Sequence, residues 1–259
     1  MKTLLVLLLA VVTFQGKWHK VQEKQFTVHY QSADRNHLAE NISFFKKGIQ
    51  AARMFFRKPM PESFHIYIHP GRRSLDSTWQ HDWKMPEFKS ECWMVASGVA
   101  DRLDLIAPVR WDVEACEHKY GDRKKIQQLI THEIVHVFHG QLNKSRDFSE
   151  TDRIDWFVEG LATFASGQLD KEKVAQVEQV LRDNQVPASL DHFWKGRTRY
   201  ALSGSIVAYI DTRWGRKKLV SLLPLVRKAD ILKALGISEE RLILDWKASI
   251  QATKAGSKA

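Results

Sequence analysis

A chain of 259 residues, 44% hydrophobic and 27% charged, is long enough to bury a real core, and its composition is neither disordered nor fibrous. Its formal net charge of +10 comes from Lys and Arg scattered in short groups such as "GRR", "GDRKK" and "GRKK". No nucleic-acid-binding signature accompanies that charge, which argues against nucleic acid and leaves weak association with an anionic envelope surface, acidic substrates or plain solubility as its uses.

The opening sixteen residues, "MKTLLVLLLAVVTFQG", set Lys2 before an apolar run from Leu4 to Phe14 broken only by Thr13. The run is too short for a bilayer, which needs about 20 residues, and suits the core of a signal peptide. Residues 1–16 are expected to direct export to a periplasmic or extracellular location, either cleaved or kept as a short N-terminal anchor. Residues 17–259 are expected to form a single domain.

Within it, "QFTVHYQ" alternates like a strand, and residues 36–56 carry a helical apolar pattern through Leu38, Ile42, Phe45, Ile49, Ala52 and Phe56. "PMPE" breaks the chain before a second alternating strand, "SFHIYIH". A polar loop rich in Trp and Asp leads to "CWMVASGVA" and "RLDLIAPV", two strands joined by a short turn. Cys92 and Cys116, the only cysteines, are expected to pair, closing a loop of about 25 residues and contributing roughly 3 kcal/mol; two buried thiols are the alternative. Residues 17–121 thus read as sheet plus one helix and residues 122–250 as a helical lobe, with "QATKAGSKA" as a frayed tail. That is an α+β arrangement.

The helix expected over Lys124–His139 is apolar nearly all round, yet it holds His132, Glu133 and His136. At i, i+4 spacing the two imidazoles lie about 5–6 Å apart on one face, within reach of one zinc ion. Glu133 lies about 100° further round, beside such an ion, where a general base belongs. Buried without a metal, the three ionisable groups would each need a polar partner, which is costly. A metzincin would have Gly and a third His where this chain has His139 and Leu142, so the third ligand must come from elsewhere. Glu159 in "DWFVEGLATFASG" fits, on a helix capped by Asp155, and shares a face with Ala162, Thr163 and Ser166, small enough to let this helix approach the first. Asp152 and Asp155 compete for the same role. His139 lies on the histidine face one turn on, and reads as structural or as a residue orienting a ligand, since a fourth protein ligand would leave no open position.

"THEIVHVFHG" followed by "WFVEGLATF" resembles the gluzincin peptidases, in particular the bacterial members of the peptidase MA-like superfamily, with residues 90–250 covered as a pattern. The resemblance implies a thermolysin-like zincin catalytic domain, with a small mixed sheet over the active-site helix and a helical C-terminal lobe. It implies one Zn²⁺ per chain on His132, His136 and Glu159, Glu133 as general base, and a peptide or protein substrate laid along "CWMVASGVA" or "RLDLIAPV". It also implies an oxyanion donor, for which Tyr200 in "RTRYALSGSIVAYIDTRWG" is the candidate, His192 its rival, and Tyr209 a core residue. Two departures stand out. "ASGVADR" lacks the Glu by which the aminopeptidase branch holds a substrate's amino terminus, so this chain is not expected to be an aminopeptidase. Thr163 stands where thermolysin places an Asp that orients a zinc ligand, leaving Thr163, His139 and His192 as candidates for that support. A catalytically silent zinc-binding protein of the cell envelope is the alternative function. The oligomeric state is left open.

Overall fold

The computed structural model describes residues 16–256, so the export segment expected at the N-terminus lies outside them but for its last residue. The first half holds β1 (Trp18–Gln22), β2 (Phe26–Gln31), α1 (Leu38–Phe56), β3 (Phe64–His69), α2 (Arg72–Asp82), β4 (Ala96–Val99), β5 (Arg102–Ile106) and the short α3 (Trp111–Glu114). The second half is helical: α4 (Arg123–Leu142), α5 (Asp155–Ala165), α6 (Lys171–Arg182), α7 (Arg199–Ser221), α8 (Lys228–Leu235) and α9 (Glu239–Gly256). The α+β arrangement is therefore present, with a mixed five-stranded sheet in the order β1-β2-β3-β5-β4. β1 runs antiparallel to β2 and β4 antiparallel to β5, while β2, β3 and β5 are parallel. Among the described residues no helix is long and apolar enough to cross a membrane.

Alternation explains the central strands. Phe26, Val28 and Tyr30 on β2, with Phe64, Ile66 and Ile68 on β3, share one buried face. α1 covers that face, Phe45 meeting Phe26 edge-on at 6.0 Å, and reaches α4 through Phe56, whose ring stacks on Phe138 at 4.1 Å. α4 is thus enclosed, and every residue from Ile130 to Gln141 is buried. Its N-terminus is capped by Asp122, whose carboxylate accepts from the Lys125 amide at 3.0 Å.

Four local expectations are corrected. The polar loop before β4 contains α2, which is polar on average but puts Leu75 and Trp79 one turn apart on a buried side. β1 was not expected; its polar residues alternate as the added antiparallel edge of the sheet. The tail does not fray at once, since α9 continues to Gly256. Asp155 is the first residue of α5 rather than its cap, which is Ile154 with no side-chain bond.

Cys92 and Cys116 form a disulfide, and Arg72 holds the same region. Its guanidinium donates to Ser90 Oγ (2.6 Å) and to the carbonyls of Glu91 (2.8 Å), Met94 (2.9 Å), Cys92 (3.1 Å) and Glu114 (2.5 Å). Without strand or helix of its own, the segment before β4 is fixed by these bonds and the cross-link.

Candidate functional site

α4 and α5 bring three side chains to a point. His136 Nε2 lies 3.0 Å from His132 Nε2, and Glu159 Oε2 lies 3.3 Å from the first imidazole and 3.6 Å from the second. Among the described residues this is the one group of three or more His, Cys, Asp or Glu placed to hold a metal ion. Donors 2.0–2.1 Å from a tetrahedral ion lie about 3.3 Å from one another, which these separations match. Asp152 and Asp155, the competing ligands, are not in the group.

The hydrogen bond on the far side of His132 sets its chemistry. Nδ1 donates to Gln168 Oε1 at 2.8 Å, so in the neutral imidazole Nε2 carries a lone pair. That lone pair faces a second imidazole and a carboxylate, an arrangement that repels unless a cation fills its centre. A proton answers one contact; a metal ion answers all three. Burial pushes the Glu159 carboxyl up, but His136 and His132 outweigh it and hold the group well below the usual carboxylate range, ready as a ligand.

Gln168 is the residue that sequence reasoning missed. It follows Gly167, whose φ of 74° ends α5. The turn is pinned by the Gln168 amide donating to the Thr163 carbonyl at 3.1 Å and by Gln128 Nε2 donating to the Gly167 carbonyl at 2.6 Å. Thr163 therefore supports the ligand through its backbone, not its side chain. Its hydroxyl is buried with no hydrogen-bond partner, and its methyl group packs against Gly204 of α7. Gly160 meets that same neighbour. A Cβ on Gly160 would fall 2.3 Å from the Ser203 carbonyl oxygen, so α5 approaches α7 closely as well as meeting α4 at the His132–Glu159 contact.

His139 is fully buried and donates from Nε2 to the Leu223 carbonyl at 3.1 Å. Burial, with His136 adding to it, drives its pKa down to about 3, so it is neutral and ties α4 to the segment after α7. His192 is exposed, beside Ser189 at 3.4 Å, and does not line the cleft. Tyr209 is half-buried and accepts from Arg213 at 2.7 Å, away from the site.

Glu133 sits beside the three ligand residues without joining them. Burial raises its pKa to about 7; His132 and the Gly98 amide oppose the shift, and Glu159 adds to it. β4 presses directly on this turn of α4, since a Cβ on Gly98 would lie 2.3 Å from the Glu133 carbonyl oxygen. A cleft of about 650 Å³ opens here, lined by Val95–Val99, by His132, Glu133, His136 and Glu159, and by Trp93, Trp194 and Tyr200. The Tyr200 ring lies 6.1 Å from that of His132 and 4.7 Å from that of Trp194. Burial, then Glu159, pushes its phenol above the ordinary value, while Arg199 opposes the shift; the hydroxyl is a persistent donor. Among the described residues β4 has a strand partner only on its β5 side; its other edge faces the cleft, with the Gly98 amide directed to the Glu133 carboxyl.

No family model and no curated protein sequence matches this chain.

Proposed function

We propose that the chain is a zinc-dependent hydrolase of peptide bonds, built as a gluzincin with a thermolysin-like catalytic domain. The observation that carries the reading is the convergence of His132 Nε2, His136 Nε2 and Glu159 Oε2, with the first imidazole held in its ligating tautomer by Gln168. Two imidazoles and one carboxylate are a catalytic zinc set, since three protein ligands leave a fourth position open to the cleft. The same donors suit iron(II), but a buried carboxylate next in sequence to a ligand histidine has its clearest use in hydrolysis. Zinc bound there would lower the pKa of water to about 7 and polarise a carbonyl oxygen.

The chain's own groups supply the rest. Glu133, buried beside the ligand residues, accepts a proton from the attacking water and returns it to the leaving amine. Tyr200 donates from its hydroxyl to the oxygen on which charge develops. The edge of β4 that pairs with no strand offers its remaining backbone groups to an extended peptide, fixing it across the cleft. Zinc content per chain, measured on wild type and Glu159→Ala after purification without chelators, tests the ligand set: one zinc and a clear loss are expected. Glu133→Gln should keep the metal and abolish peptide cleavage; undiminished cleavage would overturn the mechanism.

A further inference from the structure

The cleft has the opposite charge from the protein around it. Besides Glu133 and Glu159 it is lined by Glu117, Asp147, Asp155, Asp170 and Glu172, with Lys125 and Lys173 as its only lysines; the one guanidinium against its aromatic wall is that of Arg199, over Trp93 at 4.7 Å and Trp194 at 5.3 Å. Even a bound divalent cation leaves this lining net negative, in a chain whose formal charge is +10. Among the described residues none of those five acids forms an ion pair, although ion pairs are plentiful elsewhere on the surface. The cleft itself is identified by its metal-ligand group; the acids say what charge enters it.

The lysines do not cover the acids evenly. Lys125 stands near His118, next to Glu117, and Lys173 shares the first turn of α6 with Asp170 and Glu172. Asp147 and Asp155 lack such neighbours. Asp147 accepts from the Ser149 hydroxyl at 2.7 Å and amide at 3.1 Å, and adjoins Phe148, whose ring lies 6.1 Å from that of His136. Asp155 lies one turn before Glu159 on α5; the nearby Asp191 is held by Lys228 at 2.8 Å, and Asp155 has no ion pair among the described residues. Each is an uncompensated carboxylate close to the ligand residues. Trp83, stacked on the buried Trp79 and itself exposed, adds a ring that suits the stem and head of a lysine or arginine.

We propose that the cleft selects cationic peptides, with Asp155 and Asp147 receiving Lys or Arg side chains beside the reacting centre. This names the substrate class of the site and rests on the hydrolase reading only for its catalytic consequence. It also reverses the simplest use of a basic chain, because the acidic substrates that net charge suggests would meet repulsion where they must bind.

The test uses the full chain as Glu133→Gln, loaded with zinc, and three peptides of equal length that differ only in carrying Lys, Gln or Glu at two positions. Binding is measured by titration calorimetry at two salt concentrations. The Lys peptide is expected to bind about tenfold tighter than the Glu peptide, with the margin shrinking as salt rises. Because the molecule as a whole repels cations, such a preference reports the cleft and not bulk charge. Adding Asp147→Asn and Asp155→Asn should reduce the margin at least threefold. Equal binding of the three peptides, tighter binding of the Gln or Glu peptide, or no binding of any would each overturn the proposal. Cleavage separates the two readings: preferential binding of the Lys peptide without turnover by wild type removes the hydrolase and keeps the selectivity, and efficient cleavage of the Glu peptide does the reverse.

Discussion

Gln168 Oε1 stands 2.8 Å from Nδ1 of His132 and accepts its proton, so the nitrogen facing Glu159 is the one free to bind a metal. Partners of this kind fix both tautomer and ring orientation, and their loss typically weakens metal affinity about 10–100-fold. Gln168→Leu, similar in size but without an acceptor, is expected to lower zinc affinity within that range, read by competition with a coloured chelator. Gln168→Glu keeps the acceptor and should restore binding. Unchanged affinity in the Leu variant would show that the imidazole is oriented by packing alone.

Glu133 makes the metal-free protein sensitive to pH. Its pKa is about 7 in the fold against an ordinary value of 4.5. Below the ordinary value it is protonated in folded and unfolded chain alike, and costs nothing. As pH rises through this window the unfolded chain ionises first, so this group's contribution to stability falls, levelling off above about 7 at a cost on the order of 3 kcal/mol. Glu133→Gln removes the titration. Metal-free Glu133→Gln should therefore melt well above metal-free wild type at pH 8 and close to it at pH 4. A gap that does not change with pH would mean that the carboxyl is not held in this environment.

The helix bearing both histidines was legible because its signal is local: an apolar period and three ionisable groups with no other economical use. Glu159 followed because one later segment alone combined an apolar helix with an inward carboxylate. The sheet was legible where strands alternate, as in β2 and β3, and not in β1, whose place depends on pairing with β2 rather than on its own pattern. α2 escaped notice because only Leu75 and Trp79 mark its buried side. Gln168 was invisible for a different reason. It is set by a turn, and nothing in "SGQLD" says that the turn folds back onto α4.

Gly98 offers a structural test of how the sheet positions Glu133. The Glu133 carbonyl occupies the space a Cβ would need, at 2.3 Å, and backbone cannot swing aside as a side chain can. Gly98→Ala is expected to cost about 2–3 kcal/mol and, by pushing β4 off this turn of α4, to reduce peptide cleavage more than zinc content. Gly121 is the control, since nothing lies within 4 Å of its Cβ position; Gly121→Ala should change stability by less than about 0.5 kcal/mol. Similar stabilities for the two variants, by chemical denaturation, would refute the close contact.

The disulfide should matter to the cleft as well as to stability. Cys92 directly precedes Trp93, whose carbonyl accepts from His118 Nε2 at 3.2 Å, and both residues line the cleft. Cys92→Ser with Cys116→Ser is expected to lose about 3 kcal/mol through the freed loop. Arg72 still holds the segment by its five bonds, so the fold should survive with a looser wall. The signature is a rise in KM larger than any fall in kcat. A large fall in kcat with KM unchanged would place the wall's role elsewhere.

Tyr200 is the residue of the proposed mechanism whose role most needs a direct test, because a buried tyrosine near a histidine can also serve packing alone. Two features separate the roles. Its ring is gripped on one side by Trp194, which Phe would preserve, and its phenol is pushed upward by burial and by Glu159, so the hydroxyl stays protonated throughout any practical assay range. Tyr200→Phe removes the donor and keeps the ring. If the hydroxyl meets charge only as the carbonyl is attacked, kcat should fall roughly a hundredfold with KM nearly constant, zinc content and melting temperature should hold, and the pH profile should show no limb assignable to the tyrosine. His192→Ala, at an exposed position off the cleft, should leave the same constants unchanged. Full activity in Tyr200→Phe would reduce Tyr200 to a wall of the cleft, and the donor would then have to be sought among the backbone amides of β4.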